Sequence, residues 1–323
     1  MRTITLEEHY ASEAFLAGPG RKLKEQAERF GGRAANLFEQ LCDLGDKRIA
    51  EMDAANIDVQ VLSLTSPGTE QLEAAEAVAL ARESNDRLAD AVRSHATRFA
   101  GFATLPTADP GLAADELGRM VLEHGFKGAV INGHHRGRYL DDQFFWPILE
   151  RAQQLHVPIY LHPTQPPKPV IDASYGGFAP MVSEMLAGPG WGWHIETAVH
   201  VIRIILGGAF DKYPELQLVI GHMGEGLPFM LSRLDVMPMA MTKLARPISA
   251  YLRENVHYTF AGFNFTPTFL NLMLQVGVDR IMFSADHPYG SMSEARAFLD
   301  RLPVSSADRE KIAHANAERL LRM

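Results

Sequence analysis

The stretch Thr3-Ile4-Thr5-Leu6-Glu7-Glu8-His9 begins as an apolar-alternating run and ends in acid, acid and imidazole. Side chains on a strand alternate faces, so Glu7 and His9 are expected to point one way and Glu8 the other. A carboxylate and an imidazole two residues apart at a strand end can grip one metal ion. Alone, such an E-x-H pair is a common pattern. Its weight comes from three later segments, each closing another apolar run, which offer the partners a metal would need.

Working outward, further short runs rich in Val, Ile, Leu and Phe read as strands at 57–64, 98–104, 127–132, 158–162, 216–222, 255–260 and 280–285, with the first at 3–9. Strands covered on both faces have this continuous apolar character. Helical patterns fall between them, at 69–95, 110–124, 142–155, 265–276 and 292–301, and a terminal helix at roughly 306–321 closes the chain. Eight strands each followed by a helix is the arithmetic of a (β/α)8 TIM barrel spanning residues 1–323 as one domain. A doubly wound open sheet is the alternative, but no G-x-G-x-x-G follows the first strand.

Two connections are long. Residues 10–45 carry Gly18-Pro19-Gly20 and a charged helical stretch around 21–42. Residues 163–215 carry several prolines and then Gly188-Pro189-Gly190-Trp191-Gly192-Trp193. Long βα insertions on a barrel are expected over its C-terminal face, or at a subunit interface.

The net charge of −8 and the pI near 5.9 argue against a general affinity for nucleic acid or an anionic membrane. The one cysteine, Cys42, excludes an intrachain disulfide. With no cationic-apolar leader and no membrane-length apolar run, the expected location is cytoplasmic.

Active sites of such barrels sit at the C-terminal strand ends. Those ends hold Glu7 and His9, His162, His222 and Asp286. Imidazoles and two carboxylates converging there match the mixed nitrogen and oxygen ligation of one divalent ion. Zn2+ and Mn2+ suit it, and Mg2+ is compatible. Any one of these residues could instead cap a helix or satisfy the core; all of them falling at strand ends is what favours a site.

Glu7-x-His9, Tyr160-Leu161-His162-Pro163, Gly221-His222-Met223-Gly224-Glu225 and Ser284-Ala285-Asp286-His287-Pro288 together resemble the amidohydrolase superfamily. More narrowly, they resemble its decarboxylase branch, which includes the γ-resorcylate, 2,3-dihydroxybenzoate, 5-carboxyvanillate and aminocarboxymuconate-semialdehyde decarboxylases. The likeness covers nearly the whole chain and takes in 48–53, 62–68 and 207–214. The run Gly137-Arg138-Tyr139-Leu140-Asp141-Asp142 is most similar to the 5-carboxyvanillate enzymes. Hydrolytic members usually open with H-x-H and often carry a carboxylated lysine. Here Glu7 stands in the first place and no lysine closes a matching strand, a departure that tilts the expectation to carbon–carbon cleavage.

Carried over residue by residue, the resemblance implies metal ligation by Glu7, His9, His162 and Asp286. It implies a proton-handling pair in His222 and Glu225, which at i and i+3 could share a helix face; for Glu225 the alternative is a first-turn acid favoured by the helix dipole. Arg233 matches an arginine that reaches substrate or a neighbouring subunit, against a surface ion pair with Asp235. Arg48 could fork a substrate carboxylate, against an i,i+3 pair with Glu51. Tyr289 matches an aromatic residue against the substrate ring, with plain packing as its alternative. His134 and His135 are expected in an exposed loop, and Glu196 and His200 as a structural pair on a helix that also bears His194.

The expected activity is metal-dependent, non-oxidative decarboxylation of an ortho-hydroxy aromatic carboxylic acid. The expected assembly is a homodimer or homotetramer. Asp286 is the expected proton donor, with His222 stabilising or relaying charge. The same ion could instead activate water, making a lactone or amide hydrolase with Asp286 as base. A non-catalytic binding protein on the same scaffold is the third reading, and the intact ligand set argues against it.

Overall fold

The computed structural model describes residues 1–323, with the side chains of all but Gln26, Phe30 and Arg33. Its strands are β1 Ile4–Tyr10, β2 Val59–Leu64, β3 Phe99–Gly101, β4 Ala103–Thr104, β5 Ala129–Asn132, β6 Ile159–His162, β7 Leu218–Ile220, β8 Val256–Thr259 and β9 Ile281–Met282. Each pairs in parallel with the next along the chain in two hydrogen-bonded runs, β1 to β3 and β4 to β9. The eight expected strands are therefore present, the third in two pieces.

Main-chain hydrogen bonds bridge the gap between β3 and β4: Phe102 N–H to Leu62 O at 2.9 Å and Lys127 N–H to Gly101 O at 2.9 Å. Leu6 N–H donates to Phe283 O at 3.2 Å and His9 N–H to His287 O at 2.7 Å, which ties the last strand back to the first. Neighbours in chain order, closed by this seam, make a (β/α)8 barrel; a doubly wound sheet would place β1 in the middle.

Ile4, Leu6, Val59, Val61, Phe102, Val130, Tyr160, Val219 and Met282 fill the barrel interior, with Ala317 and Leu321 packed among them. A larger apolar layer lies between strands and helices. The expected helices appear as Ala74–Ser94, Pro110–His124, Trp146–Leu155, Thr266–Val276 and Met292–Asp300. The terminal stretch contains a wider π turn at Lys311–Ala315, where the Ile312 carbonyl accepts from Phe283 N–H at 3.0 Å. Among the described residues, no helix is long and apolar enough to cross a membrane.

In the first insertion, the stretch expected as one helix around 21–42 is broken. Gly31 and Gly32 take positive φ (55° and 49°) between helices Arg21–Phe30 and Gly32–Cys42. The second insertion forms helices Lys168–Ser174, Pro180–Ala187 and Gly192–Leu206.

One irregularity positions the site. Leu6 lies opposite Val61 but Glu8 lies opposite Leu62, so Glu7 is an extra residue, a β-bulge, with φ 69°. The simple alternation assumed from the sequence breaks there. Ile4 and Leu6 face the interior, and unbroken alternation would have sent Glu8 inward after them. The bulge exchanges the parity and turns Glu7 and His9 inward instead.

Candidate metal centre

Every ligand-type residue expected at a strand end stands there: Glu7 and His9 on β1, His162 as the last residue of β6, His222 just after β7, and Asp286 after β9. All but Asp286 are buried. Glu7, His9 and His162 each offer one ligand atom, and these atoms lie within 4.8 Å of one another. Asp286 Oδ1 is 3.2 Å from His9 Nε2, and Glu7 Oε1 is 3.4 Å from His162 Nε2. The two imidazoles meet edge to face, with ring centroids 4.8 Å apart.

The polar atoms of this cluster are unsatisfied in a way that suits a cation. Glu7 Oε1, both ring nitrogens of His9 and His162 Nδ1 are buried without a hydrogen-bond partner, although buried polar atoms are ordinarily paired. Burial, with the Asp286 charge adding to it, pushes Glu7 up to about 8 against the pull of His222. Burial, together with His9 and His222, holds His162 well below the usual imidazole range, and so in the neutral form that ligates metal. Two carboxylates and two imidazoles, short of donors and short of positive charge, fit one divalent ion.

The other Glu7 oxygen is anchored. Tyr160 O–H and Thr259 Oγ1–H both donate to Oε2, the latter at 3.2 Å, and the two hydroxyls are 2.7 Å apart. A side chain at Gly221 would run into the Glu7 carboxylate. Such tethers fix a ligand's orientation before metal binds.

His222 and Glu225 do meet, but not on a right-handed helix. The five residues from His222 to Gly226 all carry positive φ (49°, 56°, 92°, 55° and 81°). This left-handed turn places His222 Nδ1 2.7 Å from Glu225 Oε1. The helix that follows starts only at Leu227, so Glu225 is not its first-turn acid. The other Glu225 oxygen lies 2.6 Å from Nδ1 of His194, on the insertion helix Gly192–Leu206. Burial raises Glu225, but His222 and His194 outweigh it and hold the acid below its ordinary value. Burial likewise disfavours the His222 cation, yet Glu225, Glu7 and Asp286 together lift it to about 10. Phe263 packs edge-on against both imidazoles, with centroids 5.2 and 5.4 Å away.

Glu7, His222, Glu225 and Asp286 all have positive φ. The conformation is uncommon for non-glycine residues and occurs elsewhere in this chain at helix ends such as His156, Lys243 and Arg322; here four such residues gather in one cluster.

Other expectations are met unevenly. Tyr289 lies at the rim, its ring centroid 5.5 Å from that of His9 and its hydroxyl 2.7 Å from Thr65 Oγ1. Arg48 departs from expectation. It is buried, and its guanidinium donates to the carbonyls of Asp43 (2.7 Å), His9 (2.7 Å) and Gln40 (2.8 Å) and to Gln60 Oε1 (3.3 Å). It holds the backbone of β1 and presents no free fork to a substrate; nor does it pair with Glu51, which bonds Gln40. Arg233 is exposed on the helix Leu227–Leu234, with no ion pair among the described residues; Asp235 instead accepts from Ser249 N–H at 2.9 Å.

His134 is buried rather than exposed, accepting from Gly137 N–H at 2.9 Å. Glu196 and His200 do not pair. Glu196 accepts from Tyr139 O–H at 2.5 Å, and His200 Nε2 accepts from Leu140 N–H at 2.9 Å. His194, Tyr160 and Thr259 were missed as site residues. Tyr160 had a usable signal, two residues before His162 on one strand and hence on the same face.

A family model described as amidohydrolase matches residues 34–323. The γ-resorcylate decarboxylase of Polaromonas sp. is 38% identical over 332 residues, covering 99% of this chain and 98% of the relative. The crystal structure of 5-carboxyvanillate decarboxylase from Novosphingobium aromaticivorans, complexed with manganese and 4-hydroxy-3-methoxy-5-nitrobenzoic acid, superposes with a TM-score of 0.92 at 35% identity, covering 100% of this chain and 96% of that one. That of 2,6-dihydroxybenzoate decarboxylase from Rhizobium gives 0.88 at 34% identity, covering 100% and 99%. With its barrel, its strand-end carboxylates and imidazoles and its full-length likeness to these enzymes, the chain belongs to the amidohydrolase family, in the decarboxylase branch of that superfamily.

Proposed function

We propose that this protein is a metal-dependent, non-oxidative decarboxylase of an ortho-hydroxy aromatic acid of the benzoate or vanillate type. The observation that carries the reading is the group of buried, unpartnered ligand atoms on Glu7, His9 and His162, beside Asp286 and the His222–Glu225 pair. The relatives' named substrates, resorcylate and carboxyvanillate, support the substrate class. Manganese in the Novosphingobium enzyme supports Mn2+ as the ion, ahead of Zn2+ or Mg2+.

Glu7, His9, His162 and Asp286 would hold the ion. When bound, it supplies Lewis acidity and a template for a carboxylate and its ortho oxygen. Asp286, at the rim of the cluster beside His9, delivers a proton to the ring carbon that bears the carboxylate. The bond from that carbon to the carboxylate then breaks, its electron pair returns to the ring, and CO2 leaves. Against burial, Glu225, Glu7 and Asp286 favour the protonated form of His222, which would place positive charge beside the ring's oxygens where negative charge gathers. Glu225 is its counter-charge, and His194 holds Glu225 from the far side. Phe263 and Tyr289 wall the space with aromatic edges.

The assembly we propose is a homodimer or homotetramer in which Arg233 reaches the neighbouring subunit's substrate. Its support is that Arg233 is exposed, with no ion pair among the described residues, beside exposed Phe229, Met230, Val236 and Met241. A monomeric mass by light scattering would remove this part of the reading.

The deciding experiment incubates the Mn2+-loaded protein with ortho-hydroxybenzoates, carboxyvanillate-type acids and lactones. CO2 release with loss of the aromatic acid is expected. Base uptake without CO2 would point to a hydrolase, and no metal retained after dialysis would point to a binding protein. Asp286→Asn should keep the circular dichroism and melting temperature of the wild type and lose CO2 release. Normal turnover would remove Asp286 from the proton step.

A further inference from the structure

Glu8 is fully buried on β1 between the two ligand positions Glu7 and His9, and its side chain turns away from them. Its Oε1 accepts from Ala285 N–H at 2.9 Å, and its Oε2 accepts from His287 N–H at 3.1 Å. Those peptide groups lie on either side of Asp286. The main chain adds a third tie, from His9 N–H to His287 O at 2.7 Å. Between these ties Asp286 is held at φ 61°, a conformation that an aspartate in a free loop would leave for a more populated one. Behind the carboxylate, Gln60 Nε2 reaches Glu8 Oε2 at 3.4 Å, and Gln60 Oε1 accepts from Arg48 at 3.3 Å. Arg48 returns to the His9 carbonyl. The strand that supplies two ligands thus also grips the backbone that presents the fourth.

We propose that Glu8 is a positioning residue for the metal centre: its single carboxylate clamps the backbone on both sides of Asp286 and holds that side chain in its ligating position before the ion arrives. This rests on the reading of Asp286 as a ligand. The clamp needs two acceptor oxygens at a fixed span. Glutamine replaces one acceptor with an NH2 group, so one of the two peptide N–H groups faces a donor. Aspartate keeps both oxygens but is one methylene too short to reach both sites.

The test is Mn2+ titration of the metal-free protein by calorimetry, joined to hydrogen–deuterium exchange of residues 283–290. Wild type is expected to bind one Mn2+ and to show protected amides at 285 and 287 even without metal. Glu8→Gln is expected to weaken Mn2+ binding roughly 10–100-fold, the scale seen when a group orienting a metal ligand is lost. Exchange should quicken in 283–290 while 59–64 and 256–259 keep wild-type protection. Glu8→Asp should lie between the two. A merely structural role would loosen all three segments together, and that result overturns the clamp. So does a folded Glu8→Gln with wild-type affinity and exchange. Should neither variant fold, the wild type decides: free-loop exchange at 285 and 287 in the metal-free protein overturns the proposal, and protection supports it. A wild type that binds no Mn2+ overturns the metal site and the clamp with it, an outcome distinct from wild type and variants binding equally well.

Discussion

Gly221 shows how finely single positions are set. Its backbone is extended (φ −85°), so alanine could adopt it without strain. What the position lacks is room, because a Cβ there would meet the Glu7 carboxylate. Gly221→Ala should therefore fold normally and damage the metal centre. Mn2+ affinity measured by calorimetry should fall at least about tenfold, as for other changes that displace a ligand's support. An unchanged dissociation constant would mean that Glu7 can shift without loss. At this scale the sequence makes legible the position of a ligand-type residue that closes an apolar run, as with Glu7, His162, His222 and Asp286 at their strand ends. It was not legible for His194, which reaches Glu225 from 31 residues away in the chain along an insertion helix. Nor could it reveal that Arg48, a plausible carboxylate fork by type, spends its donors on the carbonyls of Asp43, Gln40 and His9.

Two elements of the candidate site take their shape from departures from regular geometry, and neither departure is visible in the sequence pattern. The His222–Glu225 spacing suggested a helix face, whereas a left-handed turn makes the contact. In β1 the pairing of Glu7 with His9 was foreseen from local alternation, but alternation counted from Ile4 and Leu6 predicts the opposite face. The bulge at Glu7 reconciles the two, and it does so by putting a non-glycine residue at φ 69°. Such a conformation costs roughly 1–3 kcal/mol, and glycine adopts it freely. Glu7 is also a buried acid with two carboxylate neighbours, Asp286 and Glu225, raising it further. Glu7→Gly should relieve both burdens. In the metal-free state its melting temperature is expected to equal or exceed that of the wild type, while Mn2+ binding is lost. A melting temperature several degrees lower would show that the bonds from Tyr160 and Thr259 outweigh the strain.

For the molecule as a whole, the barrel was legible because eight buried parallel strands leave eight apolar runs, and the order of the runs is the order of the ring. The insertions were not, since their helices, among them the largely apolar Gly192–Leu206, carry their own periodicity but no signal for where on the barrel they pack. The buried titratable groups are the other whole-molecule property, and they pull stability in opposite directions as pH changes. Burial raises Glu7 to about 8 and Glu70 to about 7. In the metal-free protein their contribution is full below about 4.5 and is lost as pH rises through those values. His200 and His257 act the other way. Burial first, then His134 and Arg203 for His200 and Arg280 and Arg319 for His257, lowers both to about 3. His200 Nε2 takes the Leu140 N–H, and His257 Nε2 lies 3.0 Å from an Arg280 guanidinium nitrogen and 3.2 Å from Gln217 Oε1. Protonating His200 would set donor against donor, and protonating His257 would set its charge against the Arg280 guanidinium. Below about 6.5 the unfolded chain takes up these protons and the folded chain does not, so their stabilisation is whole above that pH and drains away as pH falls toward 3. Each contributes a slope of about 1.4 kcal/mol per pH unit in that window. Because the acids mask this in the total, the measurement is a difference. Urea unfolding of wild type and His257→Gln, whose amide oxygen can still accept from Arg280, should show a gap that shifts by about 1.4 kcal/mol for each pH unit between 6 and 4, in favour of the variant as pH falls. A gap independent of pH would mean that His257 titrates in the fold as it does in the open chain.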